Sequence, residues 1–526
     1  MKAGAEELDM EHKKSVDLPV SPDRRRFMTQ AAAGAVAAVA TAGSPDVQAG
    51  VAFPKDRGRF GAGGSTVGGV NRSEQTLYDC EVEGELPAGL DGTFYRVGPD
   101  AQYPKARQFE DDIFFDGEGH VSSFRFKDGH VDFMSRYVRN DRWKAQHAAR
   151  RSLFGYYRNR ASDDASVQAV RRGSHNTHVW VHANRLYALK EDSPPALIHP
   201  DTLETIDSNY TFGGALKSET FTAHPKNDPE TGEMFAFGYE ARGLGSTDIN
   251  VFSVGRDGKL NWSAWVNAPY CCMLHDFAVT RRHIAFLAIP MAYSKASPVH
   301  WAWDNTLQPW LGVMRRGGDG KDIRWVPGPM NMSDHTMGSW SDGDTLYWDM
   351  DGADGNRFPF FPHLHDRFDP VKGQARVRRF SMDLSKKRIR NFGMEVLYPE
   401  VTGALSRQDD RYNVDPYRHG FLLSNTPGKG PGWTMFDHQT RTHRTFNPGP
   451  DITLAEAVFA PRRKGAPEAD GYLMGVAYYV KENRSEVLVL DTQDITAGPI
   501  ARVQLPGKAT PQIHGNWIPA DQLPPV

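Results

Sequence analysis

Four of the 19 histidines in this 526-residue chain stand in unusual local settings. His224 lies in Thr222-Ala223-His224-Pro225-Lys226, with Asp228-Pro229 and Thr231-Gly232-Glu233 close behind. His275 follows 51 residues later in Met273-Leu274-His275-Asp276-Phe277. His335 opens His335-Thr336-Met337-Gly338-Ser339-Trp340, and His514-Gly515-Asn516-Trp517 comes near the C-terminus. Neutral imidazole is a good ligand for iron, zinc, copper and nickel, so four such groups indicate a metal without choosing one. Taken singly, a histidine is more often a surface or satisfied core residue. Their dispersal is what a ring of units would show if each delivered one ligand to a common axis.

The elements that must position these residues read as strands and turns from about residue 75 onward. Asp-Gly, a dipeptide suited to two-residue hairpin turns, occurs nine times, at Asp91, Asp116, Asp128, Asp257, Asp319, Asp342, Asp351, Asp354 and Asp470. Apolar residues alternate around Asp128-Gly129, with Phe124 and Phe126 before it and Val131 and Phe133 after. Val179, Val181, Leu186 and Ala188 mark a second strand pair, and Val487 to Leu490 a buried run. Gly (50) and Pro (35) are plentiful, and long amphipathic helices are few. Periodicity therefore predicts a large all-β array, a propeller or a large sandwich, with no WD or Kelch repeat. Residues 351–376, rich in Gly, Pro, Phe and His, read as an inserted loop and a candidate lid.

Composition narrows the function classes. Charged residues make up 24% and hydrophobic residues 39%, enough for a large core. With 62 basic against 65 acidic side chains and no basic stripe interleaved with aromatics, nucleic acid is not an expected partner. Three cysteines, two of them adjacent, exclude a disulfide framework. Arg24, Arg25 and Arg26 precede Phe27, an alanine-rich run from Ala31 to Ala42, and the small-residue exit Val47-Gln48-Ala49. Residues 1–49 resemble a twin-arginine signal, so the expectation is a periplasmic or otherwise exported protein that uses the twin-arginine machinery. Residues 50–526 would then form one domain. No later stretch reaches the ~18 apolar residues of a spanning helix.

Ala223-His224-Pro225-Lys226-x-Asp228-Pro229-x-Thr231-Gly232-Glu233 followed by Met273-x-His275-Asp276-Phe277 resembles the paired motifs of the carotenoid cleavage oxygenases. The resemblance runs from about Gly84 through His514. It implies a seven-bladed β-propeller with a dome of loops over an axial site, and one Fe(II) per chain held by His224, His275, His335 and His514. The third motif departs from the family's, with Gly338 and Ser339 where relatives often carry Asn-Ala. His363 and His365 form a nearby His-x-His pair, but in the inserted loop rather than before a strand, so His335 is preferred. The family orients three of its ligands with glutamates, and the matches are Glu191 after Lys190, Glu400 in Tyr398-Pro399-Glu400, and Glu456 in Leu454-Ala455-Glu456. Glu456 sits among apolar neighbours, where an unpaired charge would be costly. Thr177 matches a position beside the vacant coordination sites.

The implied activity is scission of an alkene C=C bond by O₂ into two carbonyl products. Lys190 and Tyr157 match a pair that binds the 4-hydroxyl of the aryl ring in stilbene-cleaving relatives, and Phe115 matches an aromatic that packs on the substrate. The resemblance therefore favours a small phenolic aryl-alkene such as a hydroxystilbene. A carotenoid or apocarotenoid dioxygenase, an isoeugenol-type monooxygenase and a non-catalytic binding propeller are the alternatives. A propeller lactonase would prefer carboxylate and Asn ligands, against this His-rich set.

Overall fold

A computed structural model describes residues 71–524; the signal segment read at 1–49 lies outside the described residues. Seven antiparallel sheets succeed one another and close into a β-propeller. Blades 2 to 6 are four-stranded, with inner strands that begin at His178, Lys226, Phe277, Met332 and Thr402. Blade 4 carries an extra hairpin, Met291–Tyr293 with Trp301–Trp303.

Blades 1 and 7 close the ring by exchanging chain ends. The late strand His514–Pro519 pairs with Gly92–Asp100 as the inner strand of blade 1, while the early strand Val82–Gly84 pairs with Pro499–Gln504 at the outer edge of blade 7. The exchange leaves those ladder groups paired rather than open at an edge. It also places His514 opposite Val97, at the start of an inner strand.

Alternating apolar residues form the expected hairpin at Asp128-Gly129: Phe124 faces Phe133, Phe126 faces Val131, and all four are buried. Gly129, Gly258 and Gly343 take positive φ in turns, as Asp-Gly predicts. Gly92, Gly352 and Gly471 instead lie inside strands. A Cβ on Gly352 would stand 2.0 Å from Ser333 Oγ, so this glycine serves close packing and not a turn.

Loops converge on one end of the propeller. The segment between blades 1 and 2 holds the helix Asp141–Ala149, capped by the Asn140 side chain accepting from Trp143 N at 2.8 Å. The loop at 354–375 joins two strands of blade 5 and is pinned to the blade-4 hairpin: Trp303 N donates to Pro362 O at 2.8 Å and Leu364 N to Trp303 O at 2.9 Å. Its Phe358 and Phe360 rings meet Phe115 edge-on at 6.1 and 5.6 Å. Among the described residues all three cysteines are free, and no helix is long and apolar enough to cross a membrane.

Ring closure and the axial histidine are one contact, which can be tested. A Cβ on Gly98 would lie 1.8 Å from the backbone oxygen of Pro511. Gly98→Ala is expected to push the last strand off blade 1, cost about 1–3 kcal/mol, and reduce retained metal through displacement of His514. Thermal unfolding and metal analysis of the same sample check it; a wild-type midpoint with full metal content would contradict the closure argument.

Candidate metal centre

His224 and His275 immediately precede the inner strands of blades 3 and 4, His335 sits in that of blade 5, and His514 begins that of blade 1. Together they offer nitrogen atoms that all lie within 4.8 Å of one another. The Nε2 of His275 stands 3.0 Å from that of His224 and 3.1 Å from that of His335. The Glu191 carboxylate accepts a hydrogen bond from His275 Nδ1, so Nε2 of the neutral ring presents a lone pair to both neighbours. His514 Nε2 is buried with no hydrogen-bond partner among the described residues. Such an orphaned acceptor is costly, and a cation among the rings resolves it. Two nitrogens bound at right angles about 2.1 Å from a first-row ion lie about 3.0 Å apart, which the spacing matches. The donor set fits a divalent transition metal.

Carboxylates stand behind these rings. Glu456, just before a blade-7 strand, accepts from His514 Nδ1 at 2.8 Å and is 1% exposed. Burial alone would raise its pKa, but Arg407, His514 and Arg96 outweigh it and hold the group well below the usual carboxylate range. Glu191 is likewise buried and depressed, its burial overcome by His275 and then Lys190. Burial, only partly offset by Glu456, pushes His514 down to about 4, so its ring stays neutral, as a ligand requires. His224 has no such carboxylate: Asp276 Oδ2 is 4.0 Å from its Nδ1.

Glu400 is not brought to the centre. It lies on the surface, 58% exposed at its side chain, and contacts His443 Nε2 at 3.1 Å. His335 is flanked instead by two buried aspartates, with Asp351 Oδ2 at 3.4 Å and Asp334 Oδ2 at 3.6 Å from Nδ1. Burial lowers the His335 pKa, yet the Asp351 carboxylate, with Asp276 and Glu456, reverses this and the net shift is upward. Hairpin arithmetic from Asp342-Gly343 would put Gly352 opposite His335; a bulge between Thr336 and Gly338 shifts the register by one residue and sets Asp351 there instead. His363 is engaged elsewhere, by Asn356 Nδ2 at 2.9 Å and Asp366 Oδ1 at 2.6 Å. A fifth histidine, His178, packs 5.2 Å from the His514 ring. Its Nδ1 donates to Ala223 O at 2.7 Å, so it braces the residue before His224.

On the dome side, Lys190, Thr177, Tyr157 and Phe115 come together. Lys190 is 3% exposed, and its Nζ donates to Phe115 O and Asn176 Oδ1, each at 3.2 Å. It stands 5.2 Å from the Tyr157 ring centroid and 6.0 Å from that of Phe115. Asn176, which sequence reasoning passed over, is the hub. Its Nδ2 donates to Phe115 O at 2.8 Å and Gly117 O at 2.7 Å, and its Oδ1 also accepts from Thr177 Oγ1 at 3.0 Å. Thr177 in turn accepts at its backbone oxygen from His514 N at 3.2 Å, which links this group to the centre. Tyr157 is anchored by its backbone N donating to Asp112 Oδ1 at 2.9 Å, while its hydroxyl has no hydrogen-bond partner among the described residues. Burial raises the Tyr157 pKa, so the group stays a neutral phenol and hydrogen-bond donor.

A seven-bladed propeller with four imidazoles converging on its axis, carboxylates behind them and an aromatic dome above defines a non-haem metal-dependent oxygenase of the alkene-cleaving class. The chain belongs to the carotenoid cleavage oxygenase family: the family model described as "Retinal pigment epithelial membrane protein" matches residues 69–519. It is 41% identical to lignostilbene-alpha,beta-dioxygenase isozyme III of Sphingomonas paucimobilis, over 86% of this chain and 96% of that one. Isoeugenol monooxygenase of Pseudomonas nitroreducens is 35% identical, over 85% and 96%. Among solved structures, Pseudomonas brassicacearum lignostilbene dioxygenase superposes with a TM-score of 0.83 at 37% identity, over 89% of this chain and 100% of that chain.

The different surroundings of the glutamates predict different variants. Glu191→Gln and Glu456→Gln are each expected to weaken metal affinity about 10–100-fold, because the carboxylate that orients an imidazole is lost. Glu400→Gln should bind as wild type. Competition against a chelator measures all three, and a loss in Glu400→Gln equal to the others would overturn the assignment.

Proposed function

We propose that this protein holds one Fe(II) through His224, His275, His335 and His514 and cleaves the C=C bond of a small 4-hydroxyaryl alkene with O₂. The observation that carries the substrate reading is the Lys190 ammonium. It is buried with only neutral acceptors as hydrogen-bond partners, beside a tyrosine hydroxyl that has no partner among the described residues. The adjacent Glu191 carboxylate is engaged by His275 and forms no ion pair with Lys190; a buried ammonium with no anion in direct contact is costly, and a phenolate supplies that contact while occupying both donors. The relatives whose names are lignostilbene dioxygenase and isoeugenol monooxygenase support the same class.

When bound, iron supplies the binding and activation of O₂. The remaining work falls to the protein. Four neutral imidazoles would hold the ion without adding charge to it. Lys190 and Tyr157 hold the phenol and stabilise its deprotonated form, which pushes electron density into the conjugated alkene. Phe115, Phe358 and Phe360 provide an apolar wall that fixes the ring and excludes water. Asn176 holds Lys190 and Thr177 at fixed separation, so the head group and the reacting carbons keep one distance.

The test is a matrix of phenol, methyl ether and apocarotenoid against wild type, Lys190→Met and Tyr157→Phe, in protein loaded anaerobically with Fe(II). A 4-hydroxystilbene should be cleaved and its 4-methoxy analogue should not, because a site built for a hydroxyl loses about 1–3 kcal/mol for each unpaired group. Lys190→Met should slow only the phenolic substrate, and Tyr157→Phe should do so more weakly, since a neutral contact contributes less than a charged one. Equal wild-type turnover of phenol and ether would reject this reading in favour of the carotenoid branch.

Export is a separate proposal that rests on Arg24 and Arg25 in the N-terminal segment. A twin-arginine route carries folded, metal-loaded protein, which suits a buried centre. Arg24→Lys with Arg25→Lys is expected to strand the enzyme in the cytoplasm, and fractionation with unchanged periplasmic activity would refute it.

A further inference from the structure

His335 is held differently from its neighbours. His275 and His514 each face one glutamate in direct hydrogen bond. His335 Nδ1 instead lies between two aspartates, 3.4 Å from Asp351 and 3.6 Å from Asp334, both long for a hydrogen bond. Asp334 and Asp351 are 3% and 0% exposed. Two carboxylates buried side by side repel each other, and a shared cation offsets that repulsion.

Arg357 is that cation. It is buried, and a single guanidinium nitrogen, Nη1, contacts Asp334 Oδ1 and Asp351 Oδ1 together. The free oxygen of Asp351 is fixed from the other side, since Ser406 N donates to its Oδ2 at 3.0 Å. Ser406 Oγ also donates to the backbone oxygen of His335 at 2.8 Å. The arginine belongs to the 354–375 loop, and Phe358, the next residue, begins the aromatic wall against Phe115.

Resting on the reading of the four histidines as metal ligands, we propose that Arg357 is a positioning residue: by bridging Asp334 and Asp351 it aims the Asp351 carboxylate that orients His335. Asp351 is the orienting member because both of its oxygens are held, one by Arg357 and one by Ser406. The third ligand and the aromatic wall of the pocket thereby share one anchor.

The test uses the full chain in its metal-free form, with Co(II) alone as probe, read by equilibrium affinity and by its visible absorption bands. Asp351→Asn and Arg357→Lys are each expected to weaken Co(II) binding about 10–100-fold and shift the bands, because lysine cannot hold both carboxylates in this geometry. In the Asp351→Asn background, Arg357→Lys should add less than about twofold, since the path through Asp351 is already broken. Near-UV circular dichroism establishes that each variant is folded. A folded Arg357→Lys with wild-type affinity and bands, or equal losses in both backgrounds, overturns the proposal. Should Arg357→Lys not fold, Asp334→Asn against Asp351→Asn decides. The bridge predicts the larger loss for Asp351→Asn, and an equal or larger loss for Asp334→Asn overturns it. One Co(II) per wild-type chain, lost in His335→Ala, would leave the metal reading standing even if the Arg357 bridge fails.

Discussion

Imidazole nitrogens that face one another at about 3 Å repel, and two of the four rings are oriented by a carboxylate hydrogen-bonded behind them. That constraint organises the centre of this propeller. Glu191 and Glu456 accept hydrogen bonds from Nδ1 of His275 and His514 and so dictate which nitrogen faces the axis. Those carboxylates are themselves buried and need cations, which explains why Arg96 and Arg407 reach Glu456 from other blades. Arg96 comes from the blade-1 strand Gly92–Asp100, and its Nη2 donates to Ile513 O at 2.8 Å, beside His514. A metal that neutralises the repulsion therefore stabilises the same contacts that close the ring.

The dome obeys a second electrostatic demand. The short turn Phe114–Asp116, which presents Phe115, is tied down by Asp116 to Lys105 at 2.6 Å and Arg142 at 3.0 Å. Asp112, on Lys105 at 2.9 Å, also holds the backbone of Tyr157. One ion network thus places both the aromatic and the phenol of the pocket. Breaking buried pairs of this kind is far more costly than their net contribution to stability suggests, so the backbone that presents Phe115 and Tyr157 is firmly held. Lys190, by contrast, contacts only the neutral acceptors Phe115 O and Asn176 Oδ1 and has no carboxylate within hydrogen-bond reach.

The blade pattern and most of the centre were legible in the chain. Alternation around Asp128-Gly129 and the runs at Val179–Val181 and Val487–Leu490 do form strands, because period-two burial is a local property. Lys190, Tyr157, Phe115 and Thr177 do meet, as their motifs implied. The misplaced residue was Glu400, which follows Tyr398-Pro399 as expected yet faces solvent beside His443. Its counterpart, Asp351, was hidden by a turn signal: Asp-Gly there lies mid-strand, where Gly352 is required by the approach of Ser333. Asn176 and Arg357 left no signal, since a hydrogen-bond hub and a bridging guanidinium are defined by partners distant in sequence.

What the sequence alone determined is which chemistry is available: four histidines in distinctive motifs, strands of fixed periodicity, and a lysine beside a glutamate. These depend on residue type and short spacing, which local sterics and side-chain chemistry decide. Only the tertiary structure decided which carboxylate stands behind which ring. Ring closure brings residues up to several hundred positions apart within 3–4 Å, and at that range one residue of strand register turns a side chain from core to surface. Glu400 and Asp351 differ in that respect and in little else: both are acidic residues near the right blade, and the fold gave the axis to the one whose strand runs directly opposite His335.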